Sequence, residues 1–503
     1  MSPEVGTRAP RSPLWLLFVP ALVLIVIFIP GRNVLASGTI PRFNSLAVLP
    51  LENLSGDPEQ AYLADGIHDA LIAGLGQISS LKRVLARDSV LRFRGANQSP
   101  GAISKELNVA GLVTGAVLKS GDRLKVTVRL VDPKTGGEVW AGTFERPLRD
   151  VLSLENEIVT AITREAKLRL TPEEKARLSR ARPVNPESHD EYLKGMHQLY
   201  RNTPAAFAAG TAALRHAAAL DPADPLPYVG LALAYPVIYH VLSGTGFVPY
   251  KEGFPPARAA ALKALELDER SADAHMALAV IKTYFDWDWP GAEREFRRAL
   301  ALNPSLSEAH FHYGWYLHIF GRNEEAMAEL KRTAELDPRT PNKMANVGWL
   351  CWNLGKLDEA MAWARKALDL DSNDVSGLFV TSGVYADRKM FDEAIATDRK
   401  LAAVDPDWKF SLAGSYILAG RKDEALKIVA EMERKGYPRF SNWLFMLRTM
   451  LGDKEEAFRA LDAAFEYHQI LLPWTMALGD ASFPWRTDPR WQAYLRRMNF
   501  PRK

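Results

Sequence analysis

The sequence predicts a mostly α-helical protein: an α-solenoid preceded by a small α/β sandwich domain and an N-terminal transmembrane helix. Three observations predict it. A helix-pair signature recurs every 34 residues in the C-terminal part, apolar residues alternate with polar ones from Leu124 to Leu130, and an uncharged apolar run extends from Leu14 to Pro30. At 503 residues the chain is too long for one hydrophobic core, so several domains are expected.

Apolar residues make up 47% of the chain, which is ordinary for a protein that buries a core. Lys and Arg number 63 against 60 Asp and Glu, a net charge of only +3. Nucleic-acid binding needs concentrated basic charge, so no nucleic-acid partner is expected. The single cysteine, Cys351, excludes an internal disulfide and a cysteine-based zinc site. Within GWLCWNLG it reads as a small buried hydrophobe.

LWLLFVPALVLIVIFIP, residues 14–30, carries no charge. As a helix it would reach about 25 Å, slightly short of the ~30 Å hydrocarbon core. It reads either as an uncleaved signal anchor or as a signal cleaved near Val34-Leu35-Ala36. Arg8 and Arg11 before it and Arg32 and Arg42 after it leave the positive-inside count nearly tied.

SLAVLPL, from Ser45, reads as a short buried strand. Leu63, Ile67, Leu71 and Leu75 then recur every four residues on one helical face. Leu124, Val126, Val128 and Leu130 alternate with Lys125, Thr127 and Arg129, the period of a half-buried strand. Lys119-Ser120-Gly121-Asp122 joins it to a preceding strand around Leu112 to Leu118. A third strand is expected from Glu138 to Glu145, and Val151, Leu154, Ile158 and Ile162 outline a closing helix.

The strings SLAVLPLENLSGDPEQAYLADGIHDALI, VAGLVTGAVLKSGDRLKVTVRLVDPKTGGEVWAGTFE and VLSLENEIVTAITREAKLRLTPEEK resemble the TolB amino-terminal-like domain over residues 44–170. That resemblance implies an α/β fold with no catalytic residues, beside repeats, in envelope or interaction roles. It also implies placement outside the cytoplasm when a membrane segment lies upstream. The expected localisation is therefore a single-pass inner membrane protein with most of its chain periplasmic. Relatives often carry a winged helix, kinase or cyclase ahead of this module. Residues 1–13 are too few for one, so this chain is expected to lack an output domain.

Thr171-Pro172-Glu173-Glu174 reads as a helix start, and Pro183 and Pro186 break the chain after it. Beyond them a Leu-Asp-Pro type ending recurs at Leu220, Leu267, Leu302, Leu336, Leu370 and Val404. The last four spacings are 35, 34, 34 and 34 residues. A helix-turn-helix period of 34 is the tetratricopeptide-repeat signature. The first spacing, 47, implies an insertion of about thirteen residues within HVLSGTGFVPYKEGFPP. Gly314 and Gly348 fall where paired helices approach closely, and Gly321 and Gly355 where the first helix ends. About eight repeats are expected over residues 187–469, after a linker at 171–186. Residues 470–503 are expected to cap the array, with Trp491, Leu495 and Met498 over the last repeat.

First helices of such repeats line a concave surface. Positions on that face give Tyr284, Phe285, Phe311, Trp315, His318, Trp349, Trp352 and Phe379. Aromatic anchors dominate binding energy at interfaces, so this set is the candidate peptide-binding groove. The same side chains also suit contacts between repeats, and both readings stand at this stage. The Lys and Asn pattern of a carboxylate clamp is missing apart from Asn342 and Asn353. His310 and His312 lie on opposite sides of one helix, and His318 is two turns beyond His310. No metal, cofactor or catalytic role is expected, because no phosphate loop, dinucleotide fingerprint, H-E-x-x-H or nucleophile elbow occurs. The expected function is a non-enzymatic, membrane-anchored scaffold that binds a protein or peptide. The alternative is a sensory component that relays to a separate output protein.

Overall fold

The computed structural model describes residues 43–201, 203–234 and 250–501. Leu124, Val126, Val128 and Leu130 all point to one side of their strand, and none is more than 1% exposed. The strands are β1 (Ser45–Val48), β2 (Glu52–Asn53), β3 (Arg83–Val84), β4 (Gly111–Ser120), β5 (Arg123–Asp132) and β6 (Gly137–Pro147). They form one sheet in the order β3-β1-β4-β5-β6, with β2 also beside β4. β1 runs parallel to β3 and β4, whereas β4, β5 and β6 make an antiparallel meander. Ser120 pairs with Arg123, leaving a two-residue turn in which Gly121 takes φ +61°. A side chain would be strained there.

Five helices belong to this unit: α1 (Ala61–Gly76), α2 (Arg87–Leu91), α3 (Pro100–Leu107), α4 (Val151–Glu165) and α5 (Pro172–Leu178). Ile67 and Leu71 of α1 and Leu154 and Ile158 of α4 pack on Leu46, Val48, Val126 and Val128. Val90, Ile103 and Leu107, from α2 and α3, pack instead on Ala47 and Leu112. Since neighbouring strand residues face opposite ways, the parallel half of the sheet is covered on both faces. Thr171 and Glu174 close a reciprocal capping box at the start of α5.

Eight helix pairs follow among the described residues. They are α6 (Pro186–Leu199) with α7 (Pro204–Leu220), α8 (Pro225–Ala234) with α9 (Tyr250–Leu267), α10 (Ala272–Ile281) with α11 (Trp289–Leu302), and α12 (Ser307–Ile319) with α13 (Asn323–Leu336). Then come α14 (Pro341–Asn353) with α15 (Leu357–Leu370), α16 (Val375–Asp387) with α17 (Phe391–Val404), α18 (Lys409–Leu418) with α19 (Lys422–Lys435), and α20 (Tyr437–Leu451) with α21 (Lys454–Glu466). Two further helices, α22 (Leu472–Ser482) and α23 (Pro489–Arg497), end the chain.

The repeated corner has a local cause. Five of the eight second helices, α7, α9, α11, α15 and α17, stop at an Asp or Asn whose carboxyl or amide oxygen accepts from the backbone N–H two residues on. Asn303 takes it from Ser305, Asp371 from Asn373 and Asp405 from Asp407, all at 2.9–3.0 Å. This Asx turn competes with the helix and ends it. Within a pair, a Cβ on Gly348 would stand 3.0 Å from the carbonyl oxygen of Ala360, so the close approach of α14 and α15 needs glycine.

The corners also hold the sheet unit. Ala86 N–H donates to Leu336 O at 2.9 Å, Val84 N–H to Ser305 Oγ at 3.2 Å, and Ser89 Oγ to the buried Asp337 carboxylate. On the other side, Tyr62 of α1 donates to Asp190 of α6. The chain end reaches back as well. The Phe465 ring lies 5.0 Å from Trp287, the Phe500 ring 4.9 Å from Trp289, and Trp289 Nε1 donates to Met498 O at 2.9 Å. The last pair thus meets the third.

The membrane expectation is corrected. Among the described residues no helix is long and apolar enough to cross a membrane. The longest described helix, α9, has 18 residues but carries Lys251, Glu252, Arg258, Lys263 and Glu266. A single-pass inner-membrane placement is therefore not supported, nor is membrane contact through residues 14–30. That segment, the cleavage site at 34–36 and most of the insertion at 240–256 lie outside the described residues.

Candidate protein-binding groove

Successive first helices touch one another along the array, as α14 does α16 and α18 does α20. Their inward aromatic side chains therefore meet in a row. Trp315 lies 5.6 Å from Trp349, Trp349 5.3 Å from Phe379, and Phe379 5.9 Å from Phe410. Phe410 stacks on Trp443 at 3.7 Å. Edge-to-face and offset geometries of this kind add to burial. The indole N–H of Trp315 donates to Asn346 Oδ1 at 3.1 Å, which satisfies a polar atom in an apolar row.

Not all of the eight candidate residues join the row. Tyr284, Phe311, Trp315, Trp349 and Phe379 do, and each is at least nine-tenths buried. Phe285 diverges because α10 ends in a π-helical turn, Lys282–Asp286, after which Trp287 takes φ +54°. Its ring packs between Phe254, at 5.4 Å, and His468, at 4.6 Å. His318 stands beside Trp315 and links Asn323 Oδ1, at 2.8 Å, to Asn353 Nδ2, at 3.3 Å. Trp352 rests on Phe379 at 5.5 Å and donates to Asp387 Oδ2 at 2.7 Å. His318 and Trp352 remain partly exposed at the edge.

The row is covered by the chain itself. Trp474 of α22 lies 4.0 Å from Trp315 and 5.4 Å from Trp349. Ile470, Leu471 and Trp474, together with Tyr284, Phe311, His312 and Trp315, line a cavity with about 20 Å³ of room, enough for one water molecule. These covering residues were not among the sequence candidates, nor were Phe410 and Trp443. The signal for the cover was the pair Leu471 and Trp474, three apart and hence on one helical face.

His312 is the fully buried histidine of α12. It is 2% exposed, and its Nδ1 has no hydrogen-bond partner among the described residues. Burial pushes its pKa down to about 4, against a smaller opposing pull from Glu308. Below pH 6.5 the unfolded chain takes up this proton and the folded one does not. Stability is therefore lost as pH falls from 6.5 towards 4, by about 3 kcal/mol in full. We expect the melting temperature of wild type to fall more steeply between pH 6.5 and 4.5 than that of His312→Gln. Parallel melting curves would show that His312 is not the group. His310 faces the other way, bonded to Glu329 and to Pro304 O. Among the described residues, no three metal-ligating side chains gather. Cys351 is fully buried, and burial raises its thiol pKa.

The tetratricopeptide-repeat family matches residues 288–341 and 344–374. The helical array carries tetratricopeptide repeats. Over 246 residues the chain is 28% identical to "Putative adenylate cyclase 3" of Rhizobium meliloti (strain 1021), covering 48% of this chain and 40% of that protein. Over 138 residues it is 30% identical to "Transcriptional regulator HilA" of Salmonella paratyphi A, covering 27% of this chain and 24% of that protein. The chain thus spans less than half the length of these curated relatives. Yeast Tom70 is a similar solved structure, at 16% identity and a TM-score of 0.40, over 63% of this chain and 69% of that one.

Proposed function

We propose that this protein is a non-enzymatic interaction scaffold whose tetratricopeptide repeats bind a peptide segment or helix of a protein partner. One observation carries the reading: the inward aromatic row from Trp315 to Trp443, a continuous apolar track along consecutive first helices. Aromatic side chains give large contact area at low entropic cost, and such anchors carry most interface energy. Within this reading residues 44–170 are a TolB amino-terminal-like domain, residues 187–469 form the binding array and residues 470–503 cap it.

A photo-crosslinking amino acid at position 352, on the edge of the row, tests the scaffold reading. Leu262 on the second helix α9, 52% exposed, is the control position. Discrete protein adducts at 352 that are missing at 262 are expected. The same adduct pattern at both positions would remove the groove from the proposal.

The second reading, a signalling relay, is favoured by the names of the two curated relatives, a putative cyclase and a transcriptional regulator. On this reading the sheet unit, held at the repeat corners by Asp337 and Ser305, passes its state to the array. Adducts at 352 that contain a kinase, cyclase or transcription regulator would favour the relay over the plain scaffold.

A further inference from the structure

We propose that Ile470–Met476 is a releasable internal occupant of the aromatic groove, and that the partner is an amphipathic helix presenting the same aliphatic-to-aromatic pair at i and i+3. This deepens the scaffold reading and rests on it.

The segment sits where a ligand would. After α21 the backbone turns at His468, which takes φ +50°, and α22 then crosses the first helices instead of extending the stack. It meets α12 and the π turn, four and five repeats back. Leu471 and Trp474 point into the groove, and Trp474 packs on the first two rings of the row, Trp315 and Trp349. This is the helix-in-groove mode of recognition, in which two or three side chains one turn apart act as anchors.

The fit of the resident is incomplete on its polar side. Among the described residues, His312 Nδ1 and Asn442 Oδ1 have no hydrogen-bond partner, and both are buried beside the segment. Among the described residues Asn442 is bonded to α22 through its amide, which donates to Thr475 Oγ1 at 2.8 Å. Buried polar atoms left unpaired cost free energy. A segment with the same two anchors that also supplies groups to pair these atoms outcompetes the resident. The array is thereby held closed until such a helix arrives, and the local effective concentration of the tethered segment sets the threshold.

The test uses full-length protein and a labelled synthetic peptide of residues 469–485. In the double variant Leu471→Ser, Trp474→Ser the resident is weakened while the row stays intact. We expect this variant to bind the peptide at least tenfold more tightly than wild type, and a peptide with serine in place of the tryptophan to lose that binding. Equal affinity of variant and wild type, with circular dichroism unchanged, would overturn the release model. Hydrogen exchange on wild type covers the case in which the variant fails to fold. Amides of 470–476 are expected to exchange at least tenfold faster than those of 457–465, and equal rates would make the segment a permanent part of the core. A wild-type dimer that the double variant abolishes would give the groove to the same segment of a second copy and overturn the internal arrangement. Adducts at position 352 read the scaffold separately: if they persist while peptide binding shows no difference, only this inference falls.

Discussion

Replacing Trp315 with alanine is expected to destabilise the repeat array by about 3–5 kcal/mol, the range for removing a buried tryptophan. The side chain is 2% exposed and is held by Trp349 at 5.6 Å, Trp474 at 4.0 Å and a hydrogen bond to Asn346. Its loss opens a cavity where three elements meet and strands the Asn346 oxygen. Urea denaturation followed by circular dichroism gives the loss. A cycle with Trp474→Ala separates out the ring pair, for which a coupling of about 0.5–1.5 kcal/mol is expected. A loss below 1 kcal/mol for Trp315→Ala would mean that the row is not packed as described.

Trp491→Ala is expected to cost a similar amount, about 3–5 kcal/mol, but in a different place. Trp491 is fully buried in α23, with Phe483 at 4.4 Å and Phe445 of α20 at 6.2 Å. Each unit of a solenoid is stabilised by its neighbours, and the end unit depends on its cap. The loss should therefore fall first on residues 437–466. Hydrogen exchange is expected to rise there and stay unchanged in β4 and β5, which belong to a separate core. A uniform rise across both cores would show one cooperative unit instead.

Much of this fold is legible in the chain because its causes are local. The Asx corners at Asn303, Asp371 and Asp405 end helices through bonds to residues two positions away, so their spacing prints the repeat length on the sequence. Gly348 is required by its own helix partner within one repeat. The alternation from Leu124 to Leu130 follows from strand geometry and a single buried face. The candidate groove was half legible. Helical spacing picked out Trp315, Trp349 and Phe379 as sharing a face, but it placed Phe285 there too, because a π turn leaves no mark in the apolar period. The expected membrane placement rested on residues 14–30 and on resemblance, and among the described residues no spanning helix accompanies it.

By itself, then, the sequence determined the repeating helix pair, its corners and the strands of the β4–β6 meander, all built from contacts within a few tens of residues. Only the tertiary structure decided what covers the aromatic row. The small rotation between neighbouring repeats accumulates until Phe465 reaches Trp287 and Trp474 reaches Trp315. No single repeat encodes that sum. Contacts between residues more than 150 positions apart depend on every intervening angle, and a periodic pattern fixes the period without fixing the curvature.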